Sequence, residues 1–265
     1  SISYDDIEER INNYLKDNYN EVKDDISSIS YSYSVAPNIY TKRAEDKLPT
    51  KLNPSDLFSS MLGGGSIMGM STSVYSQLNA DKSSLTESYD VLAGHWPEKY
   101  DEMIIVLSEP NKIADYLVYS LGIRDYKELE DIVKKVLNGE KANLENEPLV
   151  LTYDDLLKTE LKLIFGTDIY KYNENYEIYE DMTENEDYMN ELYSNAMNLK
   201  IVGVVSAKEG VNSMALNPGV AYTSELIDFI IDKSKDADIV KKQLDTDEID
   251  VISGKSFDSK ESDKG

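Results

Sequence analysis

The residue types that do most protein chemistry are scarce or wrongly spaced in this chain. There is one His, His95, and no Cys. A lone His excludes a multi-histidine metal centre and leaves any hydrolase a single imidazole base. The lack of Cys excludes disulfides, thiolate metal sites and thiol nucleophiles. Carboxylates are abundant, with 51 Asp and Glu, so acidic pairs arise by chance and a glycosidase dyad needs geometry to support it. The run Asp245-Thr246-Asp247-Glu248-Ile249-Asp250 starts like a calcium loop. It fails at Ile249, where a ligand is needed, and at Asp250, where the turn needs Gly. The tract Gly63-Gly64-Gly65-Ser66 is followed by no Gly-Lys-Ser/Thr, so it lacks the lysine and hydroxyl of a phosphate loop. Met68 stands where a nucleophile elbow requires Gly. No catalytic residue, cofactor or metal ion is therefore expected.

The chain has 265 residues and 27 basic against 51 acidic side chains, a formal charge of −24. That field repels phosphate backbones and anionic lipid surfaces, so no nucleic-acid partner is expected; cationic peptides, metal ions or basic proteins are what it attracts. With 40% hydrophobic residues and 20 Tyr, a folded core is expected, and a chain of this size buries about 70–75% of its unfolded surface. No stretch approaches the ~20 apolar residues of a membrane helix. The chain begins at Ser1 rather than Met, and is expected to be an excised piece.

The elements able to position side chains centre on residues 84–107, which hold His95 and the only Trp, Trp96. They read as strand, a Gly94/Pro97 corner, then a buried strand from Met103 to Leu107. Upstream, residues 4–23 have the apolar spacing of an amphipathic helix. Residues 26–41 alternate Ile29, Tyr31, Tyr33 and Val35 against serines, the pattern of a half-buried strand. Around the Gly tract lie Leu57, Phe58, Met61, Leu62, Ile67, Met68 and Met70, in a flexible loop at 55–70; these apolar residues either pack beneath the loop or offer a lid, a membrane-proximal contact or a partner surface. Downstream, helices are expected at 111–122, closed by Gly122, at 125–137, near Asp154–Leu157, from Glu184 to Leu199, at 225–235 behind Thr223 or Ser224, and at 237–244. Strands are expected at Leu161–Phe165, at 199–206 and at Ile249–Ile252. Strands and helices mix without a βαβ period, which indicates an α+β fold. The expected organisation is a core of 1–109 with 199–255, a more helical inserted lobe at 110–198, and a disordered tail at 256–265.

Three segments carry a family resemblance. LAGHWPEKYDEMIIVLSE (92–109), LKIVGVVSAKEGVNSMALNPGVAYTSELIDFII (199–231) and, more weakly, LTYDDLLKTELKLIFGTDIYKYN (151–173) resemble, in the same order, parts of the extracytoplasmic core domain of FtsX-like and MacB-like ABC transporter permeases of Gram-positive type. The positions matching that pattern are Gly94, Trp96, Pro97, Glu102, Gly203 and Tyr222. The resemblance implies a non-enzymatic domain on the extracellular side of the cell membrane, with a mixed sheet-and-helix core and a second smaller lobe. It would couple ATP-driven motion of the membrane helices to a substrate or partner outside. Implied partners are its own flanking transmembrane helices, a cytoplasmic ABC ATPase, a second permease copy, and peptide, lipid or lipoprotein cargo. The long acidic, Tyr-rich middle departs from the pattern. An alternative is a surface solute-binding or adhesion module, with a ligand cleft lined by Tyr.

Overall fold

The computed structural model describes residues 35–52, 74–78, 82–138, 149–211, 216–246 and 248–257. The helix expected at 4–23, the first part of the alternating strand, the loop 55–70 with Phe58, Met61, Leu62, Ile67, Met68 and Met70, and the tail beyond Phe257 lie outside the described residues.

The fold is α+β, built on β5 (Glu102–Leu107), whose six residues are all buried. Burial on both faces places such a strand in the middle of a sheet, where each large aliphatic side chain contributes roughly 1.5–3 kcal/mol. On one side β5 pairs in parallel with β9 (Met197–Ala207); on the other it pairs antiparallel with β10 (Gly219–Tyr222). β3 (Tyr75–Gln77) lies parallel to β10 at that edge. Beyond β9 come β6 (Glu160–Leu163), β1 (Ile39–Thr41) and β2 (Thr50–Lys51), each antiparallel to its neighbour. β9 is long enough to take two partners along one edge. Its first residues pair with β6, Leu163 opposite Met197, and its last with β4 (Tyr89–Gly94), Gly94 opposite Gly203.

Alternation along the strands divides the core between two faces. Met103, Ile105 and Leu107 pack with Leu199, Ile201, Val204, Val220 and Tyr222. That face is covered by α2 (Asp115–Ser120), α3 (Tyr126–Leu137), α4 (Tyr153–Leu157) and α6 (Ser224–Lys235), through residues such as Leu117, Leu129, Leu156 and Leu226. Ile104 and Val106 face the other way, onto Val205, Ala221, Leu216, Trp96 and Tyr89, with Leu85 from α1 (Lys82–Ser88). Residues of 113–132 and 151–163 share the first face's core. Beyond them, α5 (Glu186–Asn195), with Met189, packs on Tyr40 and Ile164. The hairpin β7 (Tyr170–Asn173) and β8 (Ile178–Asp181) packs through Tyr179 on Ile239 of α7 (Asp238–Asp245) and on Val251.

Local sequence sets the helix starts. Thr152 caps α4 in a capping box: its hydroxyl accepts from Asp155 N at 3.2 Å while the Asp155 carboxylate accepts from Thr152 N at 2.9 Å. Thr223 caps α6 and Asn185 caps α5. Gly122, at φ +68, follows α2 in the left-handed conformation that a helix end favours.

Several expectations need correction. Ser84–Ser88 is helical, and the strand starts at Tyr89. α2 begins only at Asp115, so Ile113 packs from outside the helix. The helix expected to reach Leu199 ends at Asn195, because β6 captures Met197–Lys200 as strand. β6 stops at Leu163 rather than Phe165. Ile249–Ile252 is a turn with one bridge from Ile249 to Ser256. Its course is set by the Gln243 amide, which donates to the Thr246 and Ile249 carbonyls and accepts from Val251 N. The Asp250 carboxylate accepts from Ile252 N and Ser253 N, a side-chain turn that competes with a ladder.

Candidate functional site

Five of the six residues singled out by the family pattern meet at the corner between β4 and β5. Gly94 has φ +69, and a Cβ there would lie 1.9 Å from the Val202 carbonyl oxygen. Only Gly permits both the conformation and the approach. His95 N donates to that carbonyl at 2.9 Å. From the other side, a Cβ on Gly203 would lie 2.3 Å from the His95 carbonyl oxygen. The two glycines thus let two backbones touch. His95 is exposed, and its Nδ1 donates to the Trp96 carbonyl at 2.8 Å, which fixes the ring to its own corner. Trp96, 8% exposed, packs edge-on to Tyr89 at 6.4 Å between ring centroids. The Tyr89 hydroxyl in turn accepts from Leu216 N at 2.8 Å.

Pro97 leads into a turn closed by Glu102. Its carboxylate, on a residue 6% exposed, accepts from Glu98 N at 2.8 Å and Lys99 N at 3.2 Å. Asp101 next to it pairs with Lys200 of β9 at 3.1 Å. Tyr222 is set apart. It lies opposite Met103 in the ladder and packs into the first face of the sheet, where burial pushes its hydroxyl pKa up. The corner is therefore a latch between β4, β5 and β9 rather than a pocket. Among the described residues, no group of three or more His, Asp or Glu side chains could hold a metal ion.

A second region lies in the Tyr-rich acidic middle, where the sequence suggests a Tyr-lined cleft only in general terms and singles out none of its residues. Tyr170, Tyr172 and Tyr179 from the β7–β8 hairpin and Tyr188 from α5 line a cleft of about 390 Å³, bordered by Asp168 and Asp238. The signal was the Tyr-x-Tyr alternation at 170–172, separated from Tyr179 by the turn-forming Asn173 to Glu177; the surrounding acids hid it. Glu177 takes φ 55 to close that turn. Tyr188 donates its hydroxyl to the Asp168 carbonyl at 2.8 Å. Burial, then the charges of Asp168 and Glu191, push the Tyr188 pKa up; burial, then Asp238 and Tyr172, do the same for Tyr179. Partial burial raises the Asp168 carboxyl, with the Thr167 hydroxyl opposing it. An adjoining apolar cleft of about 290 Å³ lies against Ile239, Leu244, Val251 and Ile252. A third, of about 340 Å³, sits at the end of β5 between Leu107, Ile113 and Leu156, where Tyr153 accepts from Asn111 N.

Comparison with known protein families, with curated proteins and with solved structures gives no match. Among the described residues, no helix is long and apolar enough to cross a membrane.

Proposed function

We propose that this chain is the extracytoplasmic domain of an FtsX-like or MacB-like ABC transporter permease, a non-catalytic relay outside the cell membrane. The observation that supports it is the convergence of the three resembling segments. β4 with β5, β9 with β10 and α6, and α4 with β6 are neighbours in one sheet and its helical cover. Within them, Gly94, Trp96, Pro97, Glu102 and Gly203 form the single latch described above. In this role a cytoplasmic ATPase moves the flanking membrane helices. The motion passes through β9, which is bonded to β4, β5 and β6 together, and reaches a peptide, lipid or lipoprotein outside. A second permease copy completes the transporter.

The test is a Cys placed at Tyr176, a residue 72% exposed: in intact cells it is treated with a membrane-impermeant maleimide, the parent protein without the added Cys serving as the blank, and the labelled protein is purified. Labelling without lysis, together with co-purification of an ATP-binding-cassette ATPase, is the expected result. Labelling only after lysis overturns the extracytoplasmic placement. A surface solute-binding or adhesion module is favoured instead by the tyrosine-lined cleft; it gives the same labelling but brings down no ATPase.

A further inference from the structure

The β7–β8 register aligns the tyrosines of the second region. Tyr172 stands opposite Tyr179, and Tyr170 lies two residues back along β7, so the three rings share one face of the hairpin. The Tyr172 and Tyr179 rings are 5.1 Å apart between centroids and tilted by 56°. They make a corner of two π faces rather than a closed stack. Tyr188 enters from α5, held by its bond to the Asp168 carbonyl. Four aromatic rings from three elements therefore border one cleft. Two carboxylates, Asp168 and Asp238, stand on its rim, and among the described residues neither makes an ion pair. Lys171 also borders the cleft, but stands opposite Glu180 in the register.

We infer that this cleft binds a small organic cation of the quaternary ammonium class, with the tyrosine faces around its methyl groups and Asp168 and Asp238 supplying the countercharge. Each feature narrows the choice. Carboxylates beside electron-rich ring faces repel anions and attract cations, in a chain of net charge −24. A metal ion prefers six or more oxygen ligands or a compact acidic cage, whereas these walls are aromatic. A weakly hydrated cation loses little on leaving water and gains from several rings at once. The cleft volume of about 390 Å³ suits a ligand of the size of choline rather than a folded partner. The inference stands on the cleft alone and holds whether or not the permease proposal does.

The test is a calorimetric or NMR titration of the full chain with choline and with its uncharged carbon isostere, in which a tert-butyl group replaces the trimethylammonium. Saturable choline binding with a Kd on the order of 1 mM or tighter is expected, with the isostere at least ~5-fold weaker, the share that cation–π attraction and countercharge supply. Tyr172, 37% exposed, can be changed with little harm to the core. Tyr172→Phe should stay within about 2-fold of the parent, and Tyr172→Leu should weaken binding roughly 5-fold or more, since only the π face is lost. Asp168→Asn should weaken choline by about 3- to 10-fold and leave the isostere unchanged. No saturation by about 20 mM choline, equal affinity for the isostere, or an unchanged Tyr172→Leu would each overturn the inference. The choline-to-isostere comparison needs no variant to fold.

Discussion

Gly203→Ala is the sharpest perturbation of the latch. The new methyl carbon would lie 2.3 Å from the His95 carbonyl oxygen and 3.2 Å from Ile104 Cγ2. The Ile104 side chain can yield, but His95 is backbone, pinned by its N–H to the Val202 carbonyl at 2.9 Å. Restoring an ordinary contact needs a shift of about 1 Å, which breaks that bond and lifts Trp96 from its seat on Tyr89. A backbone hydrogen bond lost at a buried approach costs about 1–3 kcal/mol, and partial loss of the Trp96 packing brings the total to roughly 2–4 kcal/mol. For a chain of this size that lowers the melting temperature by roughly 4–8 °C. The assay is urea unfolding followed by Trp96 emission. Trp96 is the only Trp, so the signal comes from the latch itself.

Gly210→Ala is the control. Gly210 has φ +84 and, among the described residues, nothing within 4 Å of where a Cβ would sit, so it carries the left-handed penalty of about 1–2 kcal/mol. Gly94→Ala carries both penalties and should exceed Gly203→Ala. The double variant should cost less than the sum, because either substitution parts the same two backbones. A Gly203→Ala variant no less stable than Gly210→Ala would refute the latch.

Three other perturbations follow from named contacts. Arg43 joins Asp46 at 2.7 Å to Asp125 at 2.8 Å, tying the β1–β2 connection to the start of α3; Arg43→Ala should cost about 1–3 kcal/mol, and Arg43→Lys should recover only part of it. Burial alone would raise the Asp46 pKa, but the Arg43 hydrogen bonds win and hold it below its ordinary value. The ionised form is thus the one folding favours: its contribution is full above about pH 4 and is lost as pH falls through the depressed folded value. The gap between parent and Arg43→Ala in urea midpoint should therefore narrow below about pH 4. Glu102→Ala leaves Glu98 N and Lys99 N without their acceptor and should cost roughly 2–4 kcal/mol, with Glu102→Gln milder, both read by Trp96 emission. Gln243→Ala removes the bonds that shape the turn after α7 and should speed proteolysis within 248–257 before the core is affected.

What the sequence disclosed, and what it hid, follows the range of the interactions. β5 was legible because a continuous apolar run between polar ends has one good fate, the middle of a sheet. The Gly94–Pro97 corner was legible for the same local reason. Its closure on Gly203 was not, because a glycine inside an apolar strand only hints that another backbone comes near, and does not say which. Caps such as Thr223 were readable, since the helix end they satisfy is their own. The overrun of α5 toward Leu199 is a tertiary override: Met197 to Lys200 carry no local stop signal and become strand through pairing with β6. The tyrosine hairpin was hidden because Lys171, Glu174, Glu177 and Glu180 stand among its rings and dilute the apolar alternation. At Ile249–Ile252 the apolar Ile249, Val251 and Ile252 suggest a strand, but the Gln243 and Asp250 side chains take the backbone groups.

The latch and the cleft lie in different packing clusters. Trp96 and Tyr89 belong with Ile104 and Val205, whereas Tyr179 and Tyr170 belong with Ile239 and Val251. Among the described residues no side chain is shared between the two clusters, and sites without shared partners act nearly additively. Gly203→Ala should therefore lower the urea midpoint while leaving the choline Kd of the folded protein within about 2-fold, and Tyr172→Leu should do the converse. The paths between them are narrow: α6 adjoins α7, and Phe229 of α6 stacks on Tyr100 of the corner at 4.6 Å while lying 6.0 Å from Phe165, just before the segment that opens the cleft. If Gly203→Ala did change choline affinity, Phe229 would be the bridge to examine, and Phe229→Leu should then abolish the coupling without abolishing either site. Coupling that survived Phe229→Leu would mean that the two clusters move as one body, and the separation drawn from their packing would be wrong.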